Sequence, residues 1–385
     1  MKIILSPDSF KGTFGAAEVC RAFAEGVRRV YPGAEILELP LADGGEGTLE
    51  VLRGATGGEL LSCASRDPLG RPLTVEYVVL PRGEALIEMA RSTGLALLAG
   101  SERDPWRAGT FGLGLVLRAA LERNPGALTL TLGGSATVDG GVGMARALGY
   151  RFFDKSGKAL ELEGGRILSR IARIDSRGAD KRLAGIKVRA LCDVRNPLLG
   201  PTGAARVFAP QKGAGPALVE KLELGLANLA LRLREDLGKE VTAVEGGGAA
   251  GGMGVAVVGF LGGRLTSGID YVLETLRFDR ALEQADLVIT GEGSFDDQSL
   301  GGKVISGVLA RARNNRVPVA VVCGSHPGGG PADGVPAGGS GAVYQLNVFS
   351  GEDLPVKKPA GVFLDLDDLA LLAEKAARLS GVRKN

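Results

Sequence analysis

The chain opens Met1-Lys2-Ile3-Ile4-Leu5-Ser6-Pro7-Asp8-Ser9-Phe10-Lys11-Gly12. Residues 2–6 form an apolar run that stops at Pro7, which reads as a buried strand. Ala16, Cys20, Phe23, Val27 and Val30 then recur at steps of three and four, the spacing of an amphipathic helix. Pro32-Gly33 ends it. Residues 35–39 read as a second strand, followed by Ala42-Asp43-Gly44-Gly45-Glu46-Gly47-Thr48 and another helix. Strand, loop, helix, repeated, predicts a parallel sheet with helices on its faces.

The same texture returns near the other end. Residues 285–290 and 317–323 are apolar runs entering Gly-rich turns, and 342–346 is a candidate fifth strand. Leu369, Leu372, Ala376 and Leu379 share one face of a closing helix. Two early strands and three late ones make a flavodoxin-like open sheet of the α/β class. The long middle section mixes β-like runs (73–80, 127–132, 186–192) with helices, one of them striped by Leu218, Leu222, Leu229 and Leu233. The expectation is a discontinuous flavodoxin-like domain, residues 1–57 plus 284–385, with a second α/β domain, residues 58–283, inserted into it.

Composition narrows the function. Among 385 residues, 46 Lys and Arg stand against 44 Asp and Glu, a balance that argues against a nucleic-acid binder. Cys20, Cys63, Cys192 and Cys323 contain no Cys-x-x-Cys pair, as expected of reduced thiols in a cytoplasmic protein. The N-terminus lacks a signal-peptide core. Residues 246–263 are uncharged and near membrane-span length, but nine of the 18 are glycine, so they read as a Gly-rich turn and a buried element, not a span. A single histidine, His326, excludes a multi-histidine metal centre and leaves carboxylates as the natural proton acceptors.

Much of the glycine excess, in a chain with 61 glycines, clusters at 44–47, 133–143, 246–254, 291–293 and 324–330, mostly predicted strand ends, where open α/β sheets bind ligands. After the first strand come Asp8, Ser9 and Lys11, an acid and an anion clamp whose plain alternative is a helix cap. After the second come Asp43, Gly44, Gly45 and Glu46, able to approach a ligand closely, or merely to turn the chain. Leu132-Gly133-Gly134-Ser135-Ala136-Thr137-Val138-Asp139-Gly140-Gly141 joins an apolar strand to a helix, the architecture that cradles phosphate on backbone amides. Asp193 ends another apolar run. Lys212 is expected to introduce a helix, where its charge opposes the dipole unless an anion is bound. Gly291-Glu292-Gly293 begins a dinucleotide fingerprint but lacks its third glycine.

Several chemistries are missing. There is no Gly-x-x-x-x-Gly-Lys-Ser/Thr loop, no protein-kinase motif set and no Gly-x-Ser-x-Gly elbow. Anion cradles, lysines and spare carboxylates remain, the parts of phosphoryl transfer.

Taken in order, these runs resemble the bacterial glycerate kinase family (the glycerate 2-kinase group). The series also includes Asp67-Pro68-Leu69-Gly70-Arg71-Pro72, Cys192-Asp193-Val194, Asn196-Pro197-Leu198, Pro210-Gln211-Lys212-Gly213-Ala214 and Gly248-Ala249-Ala250-Gly251-Gly252. Val138, Ser294 and Phe295 depart from the family pattern. The resemblance implies ATP-dependent phosphorylation of D-glycerate to 2-phosphoglycerate with Mg²⁺, in a cleft between two α/β domains, with no nucleic acid or membrane partner. Under it, Gly133, Gly134, Ser135, Thr137 and Lys212 are expected on the nucleotide, and Asp193, Lys11 and Asp8 at the chemistry. Ser9, Asp43, Gly44, Gly45, Glu46 and Arg71 are expected on glycerate, and Asp193, Asp139 and Glu292 on the metal, with Asp193 as base or Mg²⁺ ligand. An NAD-dependent dehydrogenase of hydroxy acids and a non-catalytic sugar-acid sensor are the competing classes. The incomplete fingerprint counts against the first, and the lack of a helix-turn-helix or basic patch counts against a DNA-binding form of the second.

Overall fold

The computed structural model describes residues 1–10, 13–293 and 304–323, strand residues 342–343, 345–349 and 362–363, and residues 370, 373 and 374. Lys11, His326 and most of the expected C-terminal helix lie outside the described residues. The chain divides into two compact units, one of Met1–Asp43, Glu50–Ala55 and Ile269–Asn385, the other of Gly44–Leu49 and Thr56–Gly268.

The first unit is built on a five-stranded sheet, ordered Gln345–Phe349, Val319–Cys323, Leu287–Glu292, Lys2–Leu5, Glu35–Glu38. Numbered along the chain, the order is 2-1-3-4-5, the flavodoxin-like winding. Ile3 pairs with Leu287 on one side and Ile36 on the other, both parallel. Ile3, Ile4, Leu5, Leu287, Val288 and Ile289 are fully buried, as strands covered on both faces must be. Helix Ala16–Val30 contributes Val19, Cys20, Phe23 and Val27 to the same core. Its entry is tied by Glu18, whose carboxylate accepts the Gly15 N–H at 2.8 Å.

The fifth strand differs from the sequence expectation. Ala342–Val343 pairs with Val362–Phe363 in a separate ribbon, and the sheet is completed by Gln345–Phe349, antiparallel to Val319–Cys323. Gln345-Leu346-Asn347-Val348 alternates polar and apolar residues. Such alternation suits an edge strand, which antiparallel pairing supplies without a crossover helix.

The second unit holds a six-stranded mixed sheet, ordered Arg264–Thr266, Lys187–Leu191, Ala127–Thr131, Glu84–Glu88, Pro72–Val79, Glu59–Arg66. The first four strands are parallel and the last two antiparallel. Glu88, Thr131 and Leu191 lie side by side in register, so three strands end at one level. Helix Pro216–Leu237 starts with proline, ends at left-handed Gly238 and buries Leu222, Leu226, Leu229 and Leu233. The 246–263 run contains the buried helix Ala249–Gly259, kinked by positive φ at Ala250, Gly251 and Gly252. Among the described residues, no helix is long and apolar enough to cross a membrane.

Candidate active site

Strand Ala127–Thr131 is apolar and buried, and it delivers the 132–141 loop to the sheet's carboxyl end before helix Val142–Ala147 begins. Lys212 comes up beneath that loop. It does not open a helix, as the sequence suggests; it closes the 3₁₀ turn Pro210–Lys212, and the next helix starts at Pro216. The dipole argument therefore does not apply, and burial takes its place. Lys212 is 1% exposed, and its Nζ donates to Ser135 Oγ and to the Thr137 carbonyl, each at 2.8 Å. Both acceptors are neutral, and among the described residues no carboxylate lies within ion-pair distance of Lys212. Burial pushes the ammonium down to about 7, with the more distant Asp139 charge pulling it back up. A dehydrated cation facing a glycine loop favours an anion there.

Asp139 is also buried and organises the loop. Its Oδ2 accepts from the Thr110 N–H (2.9 Å), the Thr110 hydroxyl (2.8 Å) and the Gly143 N–H (3.2 Å), and its Oδ1 from the Gly141 N–H (3.1 Å). Burial raises this carboxyl against the pull of those donors. Oδ2 is committed to Thr110 and the first turn of the helix, while Oδ1 holds one bond and keeps a further acceptor position that a metal could use. The Thr131 and Thr137 hydroxyls are buried without a hydrogen-bond partner among the described residues. That is unusual unless something else supplies the bond.

Neighbouring loops press on this one closely enough to require glycine. A Cβ on Gly133 would lie 2.7 Å from the Gly45 Cα. Gly251, at φ +70°, would put a Cβ 2.0 Å from the Thr137 carbonyl oxygen. The segment after Glu88 stitches to the loop through backbone bonds, Leu95 N–H to Gly134 O (2.7 Å) and Ala136 N–H to Thr93 O (2.8 Å). Gly44 packs on Leu191 and Gly268. Asp193 Oδ1 accepts the Gly268 N–H at 2.9 Å, at the start of helix Gly268–Thr275.

Gly44, Gly45, Gly133, Gly134, Ser135, Thr137, Asp139, Asp193 and Lys212 thus all belong to the second unit. Ser135, Thr137 and Lys212 are joined directly by hydrogen bonds. Glu46 is solvent-exposed. Arg71 has its guanidinium half-exposed and ion-paired to Asp67 and, at 2.7 Å, to Glu102. Those two carboxylates hold Arg71 above its ordinary value.

Asp8, Ser9, Asp43 and Glu292 belong to the first unit. The Asp8 N–H donates to the Gly291 carbonyl at 2.8 Å, so Asp8 and Glu292 end adjacent parallel strands. Both are nearly buried, and Asp8 Oδ1 also accepts the Ser9 N–H at 2.6 Å. Among the described residues, no three His, Cys, Asp or Glu side chains gather as a protein-only metal cage would need. Magnesium seldom uses such a cage; it takes one or two carboxylates together with phosphates and water, so the acids present still fit it.

Thr110, Thr131 and Glu88 are missed by sequence reading. Thr110 stands among Gly109, Gly112 and Gly114, a run with no acid or second hydroxyl to mark it, and only the strand register brings Glu88 level with the loop. Thr131, the residue before that loop, reads as an ordinary strand end.

The chain matches the glycerate kinase family over residues 3–348. It is similar to a glycerate kinase of Bacillus subtilis (strain 168), 43% identical over 84% of this chain and 85% of that one. It is similar to a glycerate 2-kinase of Escherichia coli (strain K12), 41% identical with the same coverage. A solved structure from Salmonella typhimurium LT2, described as a candidate glycerate kinase 2, superposes with a TM-score of 0.76 at 43% identity, covering 83% of this chain and 85% of that one.

Proposed function

The chain belongs to the glycerate kinase family, a family of phosphotransferases, and from that premise we propose that it transfers the terminal phosphoryl group of ATP to O2 of D-glycerate, giving 2-phosphoglycerate and ADP. The observation that carries this reading is the buried Lys212 ammonium beneath the Ser135–Thr137 loop, with neutral partners only. Phosphate oxygens over this loop meet the backbone amides of Gly133 and Gly134 and the hydroxyls of Ser135 and Thr137. The cation behind them, in a low-dielectric setting, favours the charge that builds up on the transferring group.

Asp193 and Asp8 are the acids proposed for the glycerate hydroxyl proton. Each sits just beyond the end of a parallel strand and carries a backbone N–H on Oδ1 that fixes its orientation. A carboxylate suits this task in a chain whose one histidine is His326. Asp193 and Glu292 are each proposed as candidate ligands of Mg²⁺, which takes one or two carboxylates together with nucleotide phosphates. When bound, the metal neutralises charge on the phosphate oxygens. Lys11 is proposed to neutralise phosphate or the glycerate carboxylate, and Ser9 with the 43–46 loop to contact glycerate. The working compartment is proposed to be the cytoplasm.

A coupled assay following ADP release with D-glycerate, ATP and Mg²⁺ tests the reaction. The phosphorus NMR spectrum of the product distinguishes 2-phosphoglycerate from the 3-isomer. No glycerate-dependent ADP release refutes the kinase reading, and a 3-phosphoglycerate product refutes the choice of oxygen.

A further inference from the structure

We infer that Glu88 is a positioning residue, holding the 44–47 loop beside the 133–137 loop so that the first can grip the acceptor substrate. The inference rests on the proposed role of the 43–46 loop in binding glycerate. Glu88 ends strand Glu84–Glu88 and is 2% exposed, a costly place for a carboxylate unless its oxygens are used. Oε1 accepts the Gly47 N–H at 3.0 Å, across 41 residues of sequence. Oε2 faces Arg91 Nε at 3.4 Å, and Arg91 is held in turn by Glu76 at 3.0 Å.

The segment that follows the strand grips the other loop. Past the short helix Ala90–Thr93, the Thr93 carbonyl accepts the Ala136 N–H and the Leu95 N–H donates to the Gly134 carbonyl. The strand and the segment after it therefore carry both loops, one by a side chain and one by main chain, and a Cβ on Gly133 would lie 2.7 Å from the Gly45 Cα. Within the 44–49 segment the Thr48 hydroxyl bonds the Gly45 carbonyl, which shapes the turn from inside. The Glu88 bond ties that turn to the rest of the unit through a side chain, and it depends on reach: an acceptor oxygen must arrive at the Gly47 amide. Charge and reach are separable here: the charge also faces Arg91, whereas the Gly47 amide needs an acceptor oxygen within reach.

That distinction sets the experiment. Glu88→Asp keeps the charge and withdraws the oxygen by one methylene; Glu88→Gln loses the charge and keeps an oxygen in place. Steady-state kinetics of the full chain should show KM for D-glycerate rising about tenfold in Glu88→Asp and staying within about threefold in Glu88→Gln, with KM for ATP within about threefold in both. Hydrogen–deuterium exchange of the 44–49 segment, read in the ligand-free protein, should quicken in Glu88→Asp and not in Glu88→Gln. The opposite order of the two variants would mean the charge matters and would overturn the inference, as would a change in KM for ATP alone. Wild-type protein without glycerate-dependent turnover would sink the kinase reading and the glycerate part of this one together. Normal turnover with unchanged exchange in Glu88→Asp would sink this inference alone.

Discussion

Replacing Lys212 with methionine should make the protein more stable at neutral pH while disabling it. Methionine nearly matches the lysine stem in volume, so no large cavity forms. Burial lowers the ammonium from its ordinary 10.5 to about 7. Between those values the unfolded chain binds a proton that the folded protein does not, so this group's destabilisation is full below pH 7 and fades as pH rises towards 10.5. The shift costs about 4 kcal/mol at pH 7 and about 1 kcal/mol at pH 10. The variant removes that cost but takes a donor from the Thr137 carbonyl, a loss of roughly 1–3 kcal/mol; the Ser135 hydroxyl can turn elsewhere. The net expectation at pH 7 is a gain of about 1–3 kcal/mol. Urea unfolding followed by Trp106, the single tryptophan and a member of the same unit, reads it. Between pH 7 and pH 10 the wild type should gain about 3 kcal/mol relative to the variant, and the difference cancels the cysteines and tyrosines that titrate in both. Turnover should fall about 10²-fold or more if the charge supports the transition state. Parallel stability curves across that pH range would refute the reasoning, because they would mean the lysine is not held dehydrated.

Three further outcomes follow from other contacts. Gly251→Ala, forced to φ +70° with its Cβ 2.0 Å from the Thr137 oxygen, should destabilise by about 2 kcal/mol or more, measured by thermal unfolding; a loss under about 0.5 kcal/mol would mean the loops do not pack as described. Arg71→Ala removes half-exposed, solvent-screened ion pairs, so the melting temperature should barely move and KM for D-glycerate should change by less than about threefold; a tenfold rise would show Arg71 leaving its carboxylates for substrate. Burial lifts Glu163 to about 7 against the pull of Arg146. A carboxyl raised from 4.5 keeps its proton longer when folded, so the stability it contributes is full below pH 4.5 and lost as pH rises through 7. The melting temperature of the wild type relative to Glu163→Gln should therefore fall between pH 5 and pH 8, and a flat difference would refute the shift.

Much of the architecture was legible because it depends on local pattern. The runs at 2–6 and 285–290 had to be interior strands, since apolar residues without alternation need cover on both faces. The stripe from Ala16 to Val30 could be little but a helix. The hairpin partner at Glu59–Arg66 was less visible, because an edge strand with one wet face mixes polar with apolar residues and its pairing with Pro72–Val79 is not written in either. The direction of Gln345–Phe349 was missed for the same reason.

By itself, the sequence determined the class of fold, the flavodoxin-like winding, the family and the loop at 133–137, all of which rest on periodicity, glycine placement and ordered motifs along the chain. Tertiary structure alone decided what the charged groups do. It buried Lys212 under Ser135 and Thr137 from 77 and 75 residues away, turned Asp139 inward onto Thr110, left Arg71 outside in its ion pairs and set Glu88 against the Gly47 amide. The physical reason is that a charge acquires its role from its surroundings: desolvation and nearby donors shift it by several kcal/mol, and residues distant in the chain supply both.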